Sequence, residues 1–103
     1  MTRKNTLQDG SVRYIVFKED DSWYGVGLEF NIVESGDDPR EVLISLLEGV
    51  RGYVESAKKI KARPSILNQK ADPEYEKLWQ NRLLHRRNLD IYTTGIFNIH
   101  AMK

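Results

Sequence analysis

The sequence predicts an α+β fold: a three- to four-stranded antiparallel sheet with one long helix packed on a face, in β-β-β-α order, then a short helix and a C-terminal strand. Three observations carry this. Two β-branched and aromatic runs, 12–18 (VRYIVFK) and 23–30 (WYGVGLEF), flank an acidic turn, as in a hairpin. An apolar stripe of 3.6-residue period runs from Val42 to Ile60. A second capped helix start at Asp72 and Pro73 precedes a β-like tail, 91–99 (IYTTGIFNI). With 103 residues the chain has room for one domain.

The elements follow in order. Residues 1–11 are polar, lack the apolar stretch of a signal peptide, and read as a flexible leader. In the first strand Val12, Tyr14 and Val16 share one face, with Arg13, Ile15 and Phe17 on the other. Glu19, Asp20, Asp21 and Ser22 form the turn. In the second strand Tyr24, Val26, Leu28 and Phe30 make the expected core face, and Trp23, Gly25, Gly27 and Glu29 the opposite one. Glycine inside a strand marks a bulge or the close approach of another backbone. A short third strand, 32–35, ends at Gly36 and Asp37. Asp38 is a good N-cap, Pro39 suits the first helical position and Glu41 completes a capping-box spacing. Gly49 and Gly52 each weaken the long helix by about 1 kcal/mol relative to Ala, and they offer a close approach to the sheet. Arg63 and Pro64 end it, and residues 65–68 are a short strand or a connector. The second helix runs from Pro73 to about Leu84, with Tyr75, Leu78 and Trp79 on one side. The expected organisation is thus a leader (1–11), a β-β-β-α domain (12–63), and an extension (64–103) packed on that domain or on a second subunit.

Composition bounds the function. Hydrophobic residues make up 40% and charged residues 30%, enough for a core and incompatible with wholesale disorder. The absence of cysteine excludes disulfides, thiolate catalysis and Cys-based zinc sites, and fits a cytoplasmic protein. No run approaches the roughly 20 apolar residues that span a bilayer, so no membrane association is expected. The net charge of +1 hides an asymmetry. Residues 18–55 hold ten acidic and three basic side chains, whereas 56–70 hold five basic ones and no acidic one. Opposite potentials steer encounter, so an acidic body points to a basic partner.

The residues from Tyr14 to Glu55, about 40 of the 103, resemble the HicB-like antitoxin family. The likeness rests on the apolar strand Tyr14-Ile15-Val16-Phe17, the acidic turn with Trp23-Tyr24, and Leu28-Glu29-Phe30-Asn31-Ile32-Val33. It continues through Gly36, Asp37 and Glu41 into the amphipathic helix. Asp38 stands where the family usually has a capping Thr, and Leu43 where it has Ala. The resemblance implies a truncated ribonuclease-H-like fold and neutralisation of a small basic RNA-cleaving toxin by covering its active site. The segment after Arg63 carries no clear helix-turn-helix or ribbon-helix-helix pattern, which argues against DNA binding.

From these readings the expected partner-binding residues are Glu19, Asp20, Asp21, Trp23 and Glu29. The C-terminal strand either closes its own sheet or serves as an arm for a homodimer or larger oligomer, with Ile91, Tyr92, Ile96, Phe97 and Ile99 at the interface. A nucleic-acid contact would use Lys58, Lys59, Arg86 and Arg87, helped by Lys61 and Arg82, although a basic helix end is ordinarily just solvated. No catalytic residue, metal or cofactor is expected. A two-metal nuclease would need converging carboxylates, but Asp20 and Asp21 sit in a turn, Asp37 and Asp38 at a cap, and only Glu29 on a strand. His85 and His100 have no partner at a telling spacing and read as surface residues. Gly25-x-Gly27 lacks the third glycine of a nucleotide loop. The alternative to an antitoxin is an orphan oligomeric domain of the same fold, a scaffold or small-ligand binder.

Overall fold

A computed structural model describes residues 4–82 and 90–100, with only the backbone of Asp90. Strands β1 (Ser11–Glu19), β2 (Ser22–Gly27) and β3 (Ile32–Gly36) precede helix α1 (Pro39–Lys59). Helix α2 (Pro73–Asn81) and strand β4 (Asp90–Asn98) follow. Short 3-10 turns at Leu28–Phe30 and Pro64–Leu67 connect them. The four strands form one antiparallel sheet in the order β3-β2-β1-β4. The α+β architecture is therefore as the sequence predicts. Within this chain β4 closes the sheet on its own β1, pairing Ser11 with Asn98 through Val16 with Thr93. The C-terminal strand of the extension is thus built into the same sheet as the first three strands.

Both faces of the sheet are covered, and this corrects the one-faced reading of β2. Helix α1 lies on the glycine face. An ideal Cβ on Gly25 would stand 2.9 Å from Val42 Cγ1 and 3.3 Å from Leu46 Cδ2, and one on Gly27 3.3 Å from Val50 Cγ2. The bare stretch of strand is the groove in which the helix sits, so Val12, Leu46, Val50, Val54 and Ala57 form one core with Phe30, Leu67 and Ile99. Gly49 and Gly52 do not mediate the approach: nothing lies within 4 Å of a Cβ on Gly52, and Gly49 has only ordinary contacts. On the other face Ile15, Phe17, Val26, Leu28 and Ala71 form a second core, covered by Tyr75, Leu78 and Trp79 of α2. β2 also stops three residues short of the expected Phe30. The 3-10 turn breaks the alternation, sending Leu28 into the α2-side core and Phe30 into the α1-side core.

The caps behave as their chemistry requires. Asp38 accepts from Arg40 N and Asp72 from Glu74 N, each satisfying a free first-turn amide. The connector after α1 is a 3-10 turn, tied down where Tyr53 Oη donates to Ile66 O and Gln69 Nε2 donates to Tyr53 Oη. The described part of the polar leader is anchored. Asn5 is buried, its Nδ2 donates to Leu67 O and its Oδ1 accepts from Ser11 N. A side chain that can donate and accept at once bridges two backbone groups here, which composition alone did not reveal.

Candidate functional site

The acidic tip is built by a two-residue connection. Glu19 pairs with Ser22, leaving Asp20 and Asp21 as the loop, with Asp20 at φ 56°. Tight hairpins need positive φ to match strand twist, and Asp tolerates it better than most residues. Glu19, Asp20 and Asp21 are all exposed. Among the described residues none of the three carboxylates forms an ion pair. Burial raises the Tyr75 phenol above its ordinary pKa, and the charges of Glu74, Asp72 and, more weakly, Glu19 add to the shift.

Beside the tip stands an aromatic pair. The register between β1 and β4 slips between Val16 and Phe17, which pair with Thr93 and Ile91. Tyr92 is therefore the extra residue of a β-bulge, and such a residue is turned out of the ladder. Its ring meets Trp23 edge-on at 6.2 Å, and Lys18 Nζ lies 6.0 Å from the Trp23 centroid. Tyr92 is 43% exposed and Trp23 half-buried. The tip thus offers three carboxylates next to an exposed aromatic surface. The sequence places Tyr92 at a prospective oligomer interface and carries no local signal of the bulge.

Glu29, expected to join this cluster, does not. The 3-10 turn after β2 carries it to the other end of the sheet, roughly 20 Å from the tip at about 3.3 Å per strand residue. There its Oε1 accepts from Arg13 N at 2.8 Å and its Oε2 from Arg13 Nε at 2.6 Å. Glu76 of α2 takes the remaining fork of the same guanidinium at 2.6 and 2.9 Å. This hydrogen-bonded pairing holds the Glu76 carboxyl below its ordinary value and raises Arg13 above its own. Arg13 shares a face with Ile15 and Phe17, and a charge on a core face requires partners. That requirement was readable in the sequence, although the identity of the partners was not. Trp79 packs over the network, with Arg13 Cζ 5.7 Å and Arg82 Cζ 3.7 Å from its ring. A groove of about 490 Å³ borders it, lined also by Asn5, Asn68 and Ile96. The network staples α2 to the sheet.

The remaining expected residues scatter. Lys58 and Lys59 close α1, where positive charge suits the helix C-terminus, and Ile60 beyond them is 74% exposed. Arg86, Arg87 and His85 lie outside the described residues. His100 is exposed. Of the expected C-terminal interface residues, Ile99, just past β4, is fully buried in the α1-side core, Phe97 stacks on Tyr14 at 4.2 Å and Ile91 packs against the α2-side core. Tyr92 and Ile96 alone of the five are exposed. Asp37 and Asp38 stand at the start of α1. Among the described residues no three His, Asp or Glu side chains gather as a metal site, and no helix is long and apolar enough to cross a membrane. In comparison with known proteins, no family model matches the chain, and no curated protein or solved structure matches it significantly.

Proposed function

We propose that this chain is a non-catalytic, antitoxin-type binding module whose hairpin tip docks a small basic RNA-cleaving protein. The observation that carries the reading is the pairing of three exposed carboxylates, Glu19, Asp20 and Asp21, which form no ion pair among the described residues, with the Trp23–Tyr92 surface. Carboxylates steer a basic partner, and an aromatic pair supplies the area that becomes a binding hot spot once buried. The other candidate carboxylates favour binding over chemistry. Glu29 is consumed by Arg13, and Asp38 caps a helix. The likeness of residues 14–55 to the HicB-like family agrees with this reading and names its toxin class. The cytoplasm is the compartment in which such a pair would act.

The test is capture from native lysate by tagged wild-type chain and by an Asp20→Lys/Asp21→Lys double variant. The expected outcome is a stoichiometric small basic protein that degrades RNA, is silenced when the wild-type chain is restored, and is not retained by the variant. Equal retention by a folded double variant would remove the tip from the interface. Recovery of this chain alone would favour the orphan domain of the same fold.

A further inference from the structure

We infer that the free edge of β4 pairs with the same edge of a second copy, joining two sheets into one across a two-fold axis. This goes beyond the proposed partner surface and stands independently of it. The hydrogen-bonding phase of β4 follows from one bond: Ile99 N donates to Gly10 O at 3.0 Å. In an antiparallel ladder the inward and outward residues alternate. Phe97, Gly95 and Thr93 therefore face β1, while the N–H and C=O groups of Thr94, Ile96 and Asn98 project from the other side. The phase is confirmed on β1, where Arg13, opposite Ile96, aims its amide away from β4 at Glu29. Among the described residues no strand lies beyond β4.

The two edges of the sheet differ in how they are guarded. β3 is five residues long, carries Glu34 and runs into Asp37 and Asp38. β4 is nine residues long, and 91–98 contain no Lys, Arg, Asp, Glu or Pro. Tyr92 and Ile96 are 43% and 55% exposed along it. Natural edges are protected by short strands, charges and proline, and β4 has none of these over 91–98. Its neutrality gives a basic protein nothing to recognise and gives a second copy nothing to repel. Antiparallel pairing also sets the two acidic tips at opposite ends of the dimer, whereas a parallel one would bring them together. A two-fold through Ile96 uses all three outward residues, with Ile96 opposite itself and Thr94 opposite Asn98.

The test is the molar mass of the full chain by sedimentation, together with residue-resolved amide exchange. The wild-type chain is expected to be a dimer. Ile96→Lys, which opposes two ammonium groups across the axis, should yield monomer with unchanged circular dichroism. Thr94→Pro, which deletes an outward donor and spares the β1 ladder, should do the same. Ile44→Lys, at an exposed apolar position of α1, should leave the dimer intact. Should a variant fail to fold, the wild-type amides decide: Thr94 and Ile96 N–H should exchange at least about tenfold more slowly at dimer-forming than at dilute concentration. A wild-type chain that stays monomeric to about 1 mM, a dimer surviving Ile96→Lys, or outward amides exchanging at the same rate when dimeric as when dilute would each overturn the inference.

Discussion

Replacing Gly25 by Ala adds one methyl group on the α1 side of β2. Its carbon would stand 2.9 Å from Val42 Cγ1 and 3.3 Å from Leu46 Cδ2. Ordinary carbon contacts fall at about 3.5–4.0 Å, so the helix or the strand must yield by roughly half an ångström or more. Neither neighbour yields readily. Val42 has a stiff, β-branched side chain in the first turns of α1, and Leu46 is fully buried. Overpacking of this kind costs about 1–3 kcal/mol, and each kcal/mol lowers Tm by about 4–8 °C in a domain of this size. Gly52→Ala is the internal control, because nothing lies within 4 Å of its added carbon. There helix propensity alone acts, and the variant should gain about 1 kcal/mol. The same substitution at two glycines should thus move Tm in opposite directions, read by thermal circular dichroism and by urea midpoints at constant m. A Gly25→Ala chain as stable as wild type would refute the placement of α1 on the glycine face.

Three further outcomes follow from named contacts. Glu76 has its pKa lowered in the folded state by Arg13, so the stability it contributes is present above the unfolded value, near 4.5, and is lost as pH falls through the folded value. Glu76→Gln should therefore destabilise the chain at neutral pH and flatten its acid dependence below about pH 4.5, measured by urea titrations at a series of pH values. Asn5→Ala strips buried Leu67 O and Ser11 N of their partner and should cost about 1–3 kcal/mol by chemical denaturation. An unchanged midpoint would mean that the leader is not anchored. Asp20→Lys/Asp21→Lys should cost no more than about 1 kcal/mol of stability, since both sites are exposed and the cost is confined to placing Lys at the positive φ of Asp20.

What was legible in the chain is what depends on near neighbours. The 3.6-residue stripe and the Asp38-Pro39 and Asp72-Pro73 starts specify both helices, because caps and amphipathicity act within a turn or two. Alternation locates β1, β3 and β4 to within about a residue, and the acidic turn lies where Asp20 can adopt positive φ. The exposed part of the candidate site was legible for the same reason: a charged two-residue hairpin loop has nowhere to go but solvent.

Which face each element covers was not legible, because that choice is made between segments distant in sequence. Gly25 and Gly27 read as a bare strand face until α1 is laid into them. Glu29 read as a member of the acidic cluster until Arg13 claims both its oxygens and Glu76 completes the fork. The bulge that turns Tyr92 toward Trp23 depends on the register of β4 against β1, separated from it by more than seventy residues. Local sequence determined the elements, their caps and the acid of the tip, since backbone sterics and short-range hydrogen bonds suffice for these. Only the tertiary structure decided the second core, the Arg13 staple and the aromatic partner of the tip. Packing and charge pairing act through space, and the chain's order does not say what space brings together.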